Sequence, residues 1–430
     1  MSKTTTASAR VAGVAGLCAA ALLAPTGSAS SQAASSSSAG SSPTFRTVVS
    51  GLNAPRGIAF DARGAMYVAE SGKYLGPPPS TGQSSPVFGL SKTGKVTKYQ
   101  RGTGKPVWST GFTSFFANGE GEAAVLGPEG ISAMGNSCST EPADDDDRSP
   151  MIRRGSHDDD GDGEGREGRC EIRMIMSESN LGLARPPVSL PPSQAGLLFR
   201  LDGRTGAAKP VTNVGNQQFR WTADHKSLFP DDFPDSNPYG VLLIRDRRKD
   251  RLRTFVADAG ANTISEVMPS GRSRVIAYIP NDPVRDSTPT CVAEGPDGML
   301  YVGTLDLVFN LFVPGGPNRS SVWRVDPNAN FGSGPKPTVW ATGLTTITAC
   351  TFDRSGNFWA TEMFQPNGAA QPPGDIVRIP FRTPTNHTRI GGGKLPVPGG
   401  IAQGRDGAMY VTVGSADTTP NAGAVVRVSH

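Results

Sequence analysis

Residues 57–72 read GIAFDARGAMYVAESG, and the phrase returns as CVAEGPDGMLYVGTL at 291–305, CTFDRSGNFWATEM at 350–363 and GIAQGRDGAMYVTVG at 400–414. Each copy is a short apolar strand, a tight turn ending in glycine (Gly64, Gly298, Gly356, Gly407) and a second strand built on an aromatic residue. Glycine tolerates the positive φ that a tight hairpin needs. A stretched copy, GVLLIRDRRKDRLRTFVADAG, covers 240–260, and another opens in GPEGISAM at 127–134 and resumes in CEIRMIMSES at 170–179. Third strands follow in SKTGKVTKY, GLLFRLDGRTG, TISEVMPSGRSRVIAY, SVWRVDPN, DIVRIPF and AVVRVSH, and a fourth in TVWATGL. The units start near residues 57, 130, 240, 292, 351 and 400.

Six units of four strands predict an all-β fold, a six-bladed β-propeller with four-stranded blades. The chain ends in the third strand of the sixth unit. Thr44-Phe45-Arg46-Thr47-Val48-Val49 is therefore expected to add the missing outer strand, closing the last blade and removing a sheet edge. The expected division is a signal peptide over 1–29 with cleavage between 29 and 34, a Ser/Ala-rich linker over 30–43 and the propeller over 44–430. An acidic insertion is expected at about 136–171.

Composition agrees with many short elements and turns. The 53 glycines and 37 prolines make about a fifth of the 430 residues, roughly double the usual share. Apolar residues at 36% suffice for a substantial core at this length. Lys and Arg number 42 against 38 Asp and Glu, and losing Lys3 and Arg10 with a leader leaves the charge near +2. Such balance gives no electrostatic reason to expect nucleic acid as a partner. The basic run from Arg245 to Arg253 is interleaved by Asp246 and Asp250 and reads as a solvated turn.

Val11 to Ala24 is an uncharged run of signal-peptide length, too short to span a bilayer, and no later stretch is apolar for long enough. Export, no membrane span and a monomer are expected. Of five cysteines, Cys18 leaves with the leader, and an oxidising compartment allows disulfides among the rest. Cys138 and Cys170 bracket the insertion and are expected to be bridged. Cys291 and Cys350 open inner strands of adjacent units; neighbouring inner strands diverge, so two buried free thiols are expected rather than a bond.

The phrases GLNAPRGIAF with MYVAESG, SNPYGVL with FVADAGANTI, PTCVAEGPDGMLYVG and PGGIAQGRDGAMYVT resemble the ScyD/ScyE family of secreted propeller proteins over most of residues 45–430. The resemblance implies the fold and export. It brings no established reaction and no catalytic motif, and the acidic insertion departs from the family pattern. The family name alone implies an accessory role in secondary-metabolite assembly.

Candidate chemistry gathers at the expected channel mouth. Arg56, Asn237, Thr290 and Pro398 precede or open inner strands, and Glu70, Asp258 and Glu362 end second strands. Arg56, Glu70, Asn237, Asp258, Thr290 and Glu362 are the channel candidates for a small-molecule or protein ligand. Glu70, Asn237, Asp258 and Glu362 have the residue types with which related metal-dependent lactonase propellers hold a hard cation such as Ca2+. The competing reading is local: short carboxylates cap loop backbone, and Asp258 and Asn262 lie in such a loop. Asp158, Asp160, Asp162 and Gly163 open like an EF-hand loop, but Arg169 stands where its last ligand should be. Among His157, His225, His387 and His430 none sits in a catalytic motif, and no nucleophile elbow is present. Glu120, Glu122 and Glu129 lie in a glycine-rich link where solvation is the default. Two functions are open: an extracellular ligand- or partner-binding module, and a metal-dependent lactonase-like hydrolase.

Overall fold

The repeated phrase has a hydrogen-bonding reason. In the turn between its first and second strands, one aspartate oxygen caps the backbone and the other holds the aromatic residue of the second strand. Asp61 accepts from the Ala65 N–H at 2.9 Å and the Tyr67 hydroxyl at 3.0 Å. Asp353 accepts from the Asn357 N–H and the Trp359 indole, both at 2.8 Å. Asp297 and Asp406 repeat the device with Tyr301 and Tyr410 at 3.2 Å. Gly64, Gly298, Gly356 and Gly407 follow at φ between 74° and 88°, where a Cβ is disfavoured.

The computed structural model describes residues 42–78, 86–119, 122–134, 170–229, 234–246, 249–281, 287–306, 310, 318–365 and 373–429. The strands form six antiparallel sheets. The first holds β2 (Pro55–Phe60), β3 (Met66–Glu70), β4 (Val87–Tyr99), β5 (Pro106–Gly119) and β6 (Glu122–Leu126). The second holds β7 (Pro128–Met134), β8 (Glu171–Met176), β9 (Leu197–Leu201) and β10 (Ala208–Asn213). The third is β11 (Pro238–Asp246), β12 (Arg251–Asp258), β13 (Thr263–Val267) and β14 (Ser273–Tyr278). The fourth is β15 (Pro289–Glu294), β16 (Leu300–Thr304), β17 (Ser320–Val325) and β18 (Thr338–Leu344). The fifth is β19 (Ile347–Phe352), β20 (Asn357–Glu362), β21 (Gly374–Pro380) and β22 (Thr388–Leu395). The sixth is β23 (Ile401–Gln403), β24 (Met409–Val413), β25 (Gly423–Ser429) and β1 (Thr44–Leu52).

β1 pairs with β25, so the N-terminal strand supplies the outer strand of the last sheet. One sheet differs from expectation. The first has five strands rather than four, because β4 and β5 are both long and the far half of β5, paired with β4 on one edge, pairs with β6 on the other. Two short helices complete the described elements used below, α1 (Asn180–Leu183) and α2 (Val214–Asp224).

The innermost strands touch in a closed circle, β2 to β7, β11, β15, β19, β23 and back to β2, an arrangement consistent with a six-bladed propeller. Packing is close because the inner strands carry glycine at a repeated position, in Pro55-Arg56-Gly57, Pro128-Glu129-Gly130 and Pro238-Tyr239-Gly240. A Cβ on Gly57 would strike the Glu129 carbonyl, one on Gly130 the Tyr239 carbonyl and one on Gly240 the Thr290 carbonyl. Hydroxyls tie further neighbours: Thr290 donates to the Ile347 carbonyl at 2.6 Å, and Thr348 to that of Pro398 at 2.8 Å.

The same geometry corrects the reading of Cys291 and Cys350, which are disulfide-bonded with Cα atoms 5.6 Å apart. Cys291 holds the position of the repeated glycines, whose missing side chains point at the next inner strand. Gly130, for example, faces the Val241 N–H. Cys350 holds the position equivalent to Val241 in the following sheet, so the two sulfurs meet. The inner strands do not diverge there. Cys170 is also disulfide-bonded; Cys138 lies outside the described residues, as do the acidic stretch that follows it and His157. Among the described residues no helix is long and apolar enough to cross a membrane.

Candidate functional site at the mouth of the inner strands

Three of the expected channel carboxylates are anchored within their own sheets. Glu70 accepts the Asn53 N–H at 2.8 Å and faces Lys95 Nζ at 3.3 Å. Glu362 accepts the Thr345 N–H at 2.8 Å and a two-pronged bond from Arg389 at 2.6 and 3.1 Å. Asp258 takes the Asn237 and Ala261 N–H groups at 2.8 and 2.9 Å on one oxygen and the Ser236 hydroxyl at 2.6 Å on the other. In each case the carboxylate at the end of the second strand holds the segment that enters the first. Burial pushes the pKa of all three up, and these donors oppose it; Asp258 stands at about 6.

Each of the four expected cation ligands is engaged by other groups of the protein. Asn237 donates its N–H to Asp258, and its Oδ1 accepts the Glu178 N–H at 3.1 Å. Among the described residues no group of three or more His, Cys, Asp or Glu is placed to hold a metal ion. Thr290 is buried and spent on the Ile347 carbonyl. His225 lies against Trp221, with ring centroids 4.2 Å apart and its Nδ1 at 2.7 Å from the Trp221 carbonyl, a packing role.

The side chains that do meet come from the middle of the Pro-x-Gly triplets. Arg56 on β2, Glu129 on β7 and Tyr239 on β11 sit on three successive inner strands. Arg56 donates to the Tyr239 hydroxyl at 3.2 Å and to the Val125 carbonyl at 3.3 Å. Its Nε lies 3.8 Å from Glu129 Oε2, beyond hydrogen-bond reach. Glu129 is fully buried; Oε1 accepts from Ser71 at 3.3 Å, whereas Oε2 has no hydrogen-bond partner. Burial pushes Glu129 up to about 7, against the nearby Arg56 charge and the Ser71 hydroxyl. Beside it stands Glu178, just past β8, whose carboxyl burial raises well above the usual range, helped by the charges of Asp235, Asp258 and Glu129.

Tyr239 joins this acidic corner to an apolar one. It packs in a buried cluster with Ala259, Leu305, Met363, Phe364 and Val397, drawn from the third to the sixth sheets. Sequence reading named Arg56 and placed Glu129 in a solvated link; it missed Glu178, Asp235 and Tyr239. Aligning the Pro-x-Gly triplets would have exposed Glu129 and Tyr239, because equivalent positions on neighbouring inner strands face one axis. The other end of the strands carries a cavity of about 1480 Å3, lined by turn residues including Arg245, Lys249, Glu294, Asp297, Phe352 and Arg354. Its charges are largely satisfied, as in the Arg324–Asp297 pair at 2.9 Å, so the chemistry favours the Pro-x-Gly end.

Glu129 gives a pH prediction. Its folded pKa exceeds the usual carboxylate value, so the folded chain holds this proton more tightly than the unfolded chain. The stabilisation is complete below about pH 4.5 and is lost as pH rises through about 7. Glu178 and Asp258 act with the same sign. Urea titrations at pH 5 and 8 should show Glu129→Gln losing less stability over that interval than the parent, by on the order of 2 kcal/mol. Equal losses would place Glu129 in water.

No protein-family model matches the chain, and no curated protein does. Among solved structures it is similar to a streptogramin B lyase at 11% identity and a TM-score of 0.43, covering 90% of this chain and 97% of that one. Virginiamycin B lyase from Staphylococcus aureus aligns at 12% identity and a TM-score of 0.39, over 90% and 99% of the two chains. A glucose dehydrogenase aligns at 14% identity and a TM-score of 0.45, over 90% and 100%. The propeller reading rests on the strand order and the closed circle of inner strands, and these likenesses add nothing about activity.

Proposed function

We propose that the chain is an exported binding protein of the ScyD/ScyE type that takes a small ligand at the Pro-x-Gly end of the inner strands. One observation carries the reading: a buried oxygen of Glu129 that accepts no hydrogen bond faces Arg56, and Arg56 bonds Tyr239, a member of a buried apolar cluster. Burying a polar group without a partner costs about 1–3 kcal/mol, and a ligand donor would recover part of that. The leader-like run over 11–24 and the family phrases support export and membership.

A second reading, a lactone hydrolase, is favoured by Glu129 alone. A carboxyl held at about 7 is poised as a general base near neutral pH. One screen serves both. Alkylamines, polyols, aryl acids and γ- and δ-lactones are presented to the folded protein and followed by saturation-transfer NMR and by lactone turnover. Binding is expected for at least one class, weakened tenfold or more in Tyr239→Ala and in Phe364→Leu. Turnover that falls about a hundredfold in Glu129→Gln would select the hydrolase. No binding by any class would overturn the site.

A further inference from the structure

Glu178 is held in an unfavourable backbone conformation. Its φ is +65°, in the left-handed region that costs a side-chain-bearing residue about 1 kcal/mol or more. The surroundings impose it from three sides. Its N–H donates to Asn237 Oδ1 at 3.1 Å. Gly196 and Gly215 press on its carbonyl so closely that a Cβ on either would strike it. Next to it, Ser179 caps α1 by accepting the Gly182 N–H at 3.1 Å.

Among the described residues, the side chain so positioned has no partner. Glu178 is 5% exposed, and among the described residues its carboxylate accepts no hydrogen bond and joins no ion pair. The charges that act on it are those of Asp235, Asp258 and Glu129, every one acidic. Glu129 adds a buried oxygen, Oε2, that accepts no hydrogen bond and faces Arg56 Nε at 3.8 Å. Arg56, the cation nearby, is already committed to Tyr239 and the Val125 carbonyl. A buried carboxylate ringed by carboxylates is tolerated where a positive group completes it.

We infer that Glu178, with Glu129 Oε2 beside it, receives the ammonium group of a small primary amine, whose carbon chain runs towards Tyr239 and the apolar cluster. This rests on the reading of the Pro-x-Gly end as a ligand site. A hydroxyl donor would satisfy an oxygen but leave the carboxyl protonated, whereas a cation stabilises its ionised form. A hard divalent cation asks for six to eight oxygens. Both oxygens of Asp258 are occupied by N–H and hydroxyl donors, and no trio of described acidic residues is set for a metal. An ammonium asks for three acceptors and brings its own apolar stem.

The test titrates n-butylammonium chloride into the folded protein by calorimetry, beside n-butanol and calcium chloride, in the parent, in Glu178→Gln and in the exposed control Asp250→Asn. Glu178→Gln keeps the shape and cannot ionise beside the other carboxyl groups, so its melting temperature should hold or rise. Butylammonium should bind the parent and Asp250→Asn at least tenfold more tightly than butanol, and lose tenfold or more in Glu178→Gln. Equal affinity for butanol, or unchanged binding in Glu178→Gln, would overturn the inference. So would calcium binding tighter than butylammonium and lost in the same variant, which would install a metal instead. If neutral fragments bind in a Tyr239-dependent manner while butylammonium does not, the ligand site stands and the amine falls. If nothing binds, both fall.

Discussion

Removing β1 should abolish cooperative unfolding. The strand pairs with β25 from Thr44–Ser429 to Leu52–Gly423. Leu52 is 2% exposed and packs on Ile58, Met66, Val68, Tyr99 and Val425, with Val48 and Val49 beside it. Losing that burial costs on the order of 5 kcal/mol, at about 1.5–3 kcal/mol for a fully buried aliphatic side chain and less for the half-buried ones. That is comparable to the whole stability of an ordinary domain. The cut also bares β25 as a new sheet edge, which invites aggregation. A chain lacking residues 42–52 should show a broad melt or form aggregates by light scattering. A sharp transition within a few degrees of the parent would mean that the circle closes without β1.

Breaking the Cys291–Cys350 bond should have the second largest effect. The bonded residues are 59 apart in sequence, and a crosslink closing a loop of that length stabilises by about 4 kcal/mol in the chain-entropy account. It joins inner strands of the fourth and fifth sheets, at the position where other sheets rely on glycine for close approach. The Cys291→Ser/Cys350→Ser pair should fold but unfold at markedly lower urea, and peptide mapping of the parent without reductant should recover the two peptides linked. An unchanged urea midpoint would show that packing across these sheets holds without the bond.

The sequence by itself determined the strands, their hairpins and the closure by β1. Each hairpin is local. An aspartate, a turn glycine and an aromatic residue within a few positions settle it, as Asp353, Gly356 and Trp359 do. Closure was equally legible, since the sixth unit reads as three strands and the segment 44–49 has the β pattern of a fourth. The fifth strand of the first sheet was not, because nothing local says that the far half of β5, already paired with β4, should take β6 on its other edge. Tertiary structure alone decided which side chains meet. Glu70 and Glu362 have the composition of ligands, yet each is held by its own sheet, by Asn53 and Lys95 or by Thr345 and Arg389. Glu129, Glu178 and Asp258 are spread over distant stretches and become neighbours only when β7, β8 and β12 are brought around one axis. Cys291 and Cys350 meet for the same reason: the spacing of inner strands is set by backbone contact across sheets, at positions such as Gly57 and Gly130. Short-range hydrogen bonding is written in the order of residues, whereas the distance between sheets is a property of the closed circle.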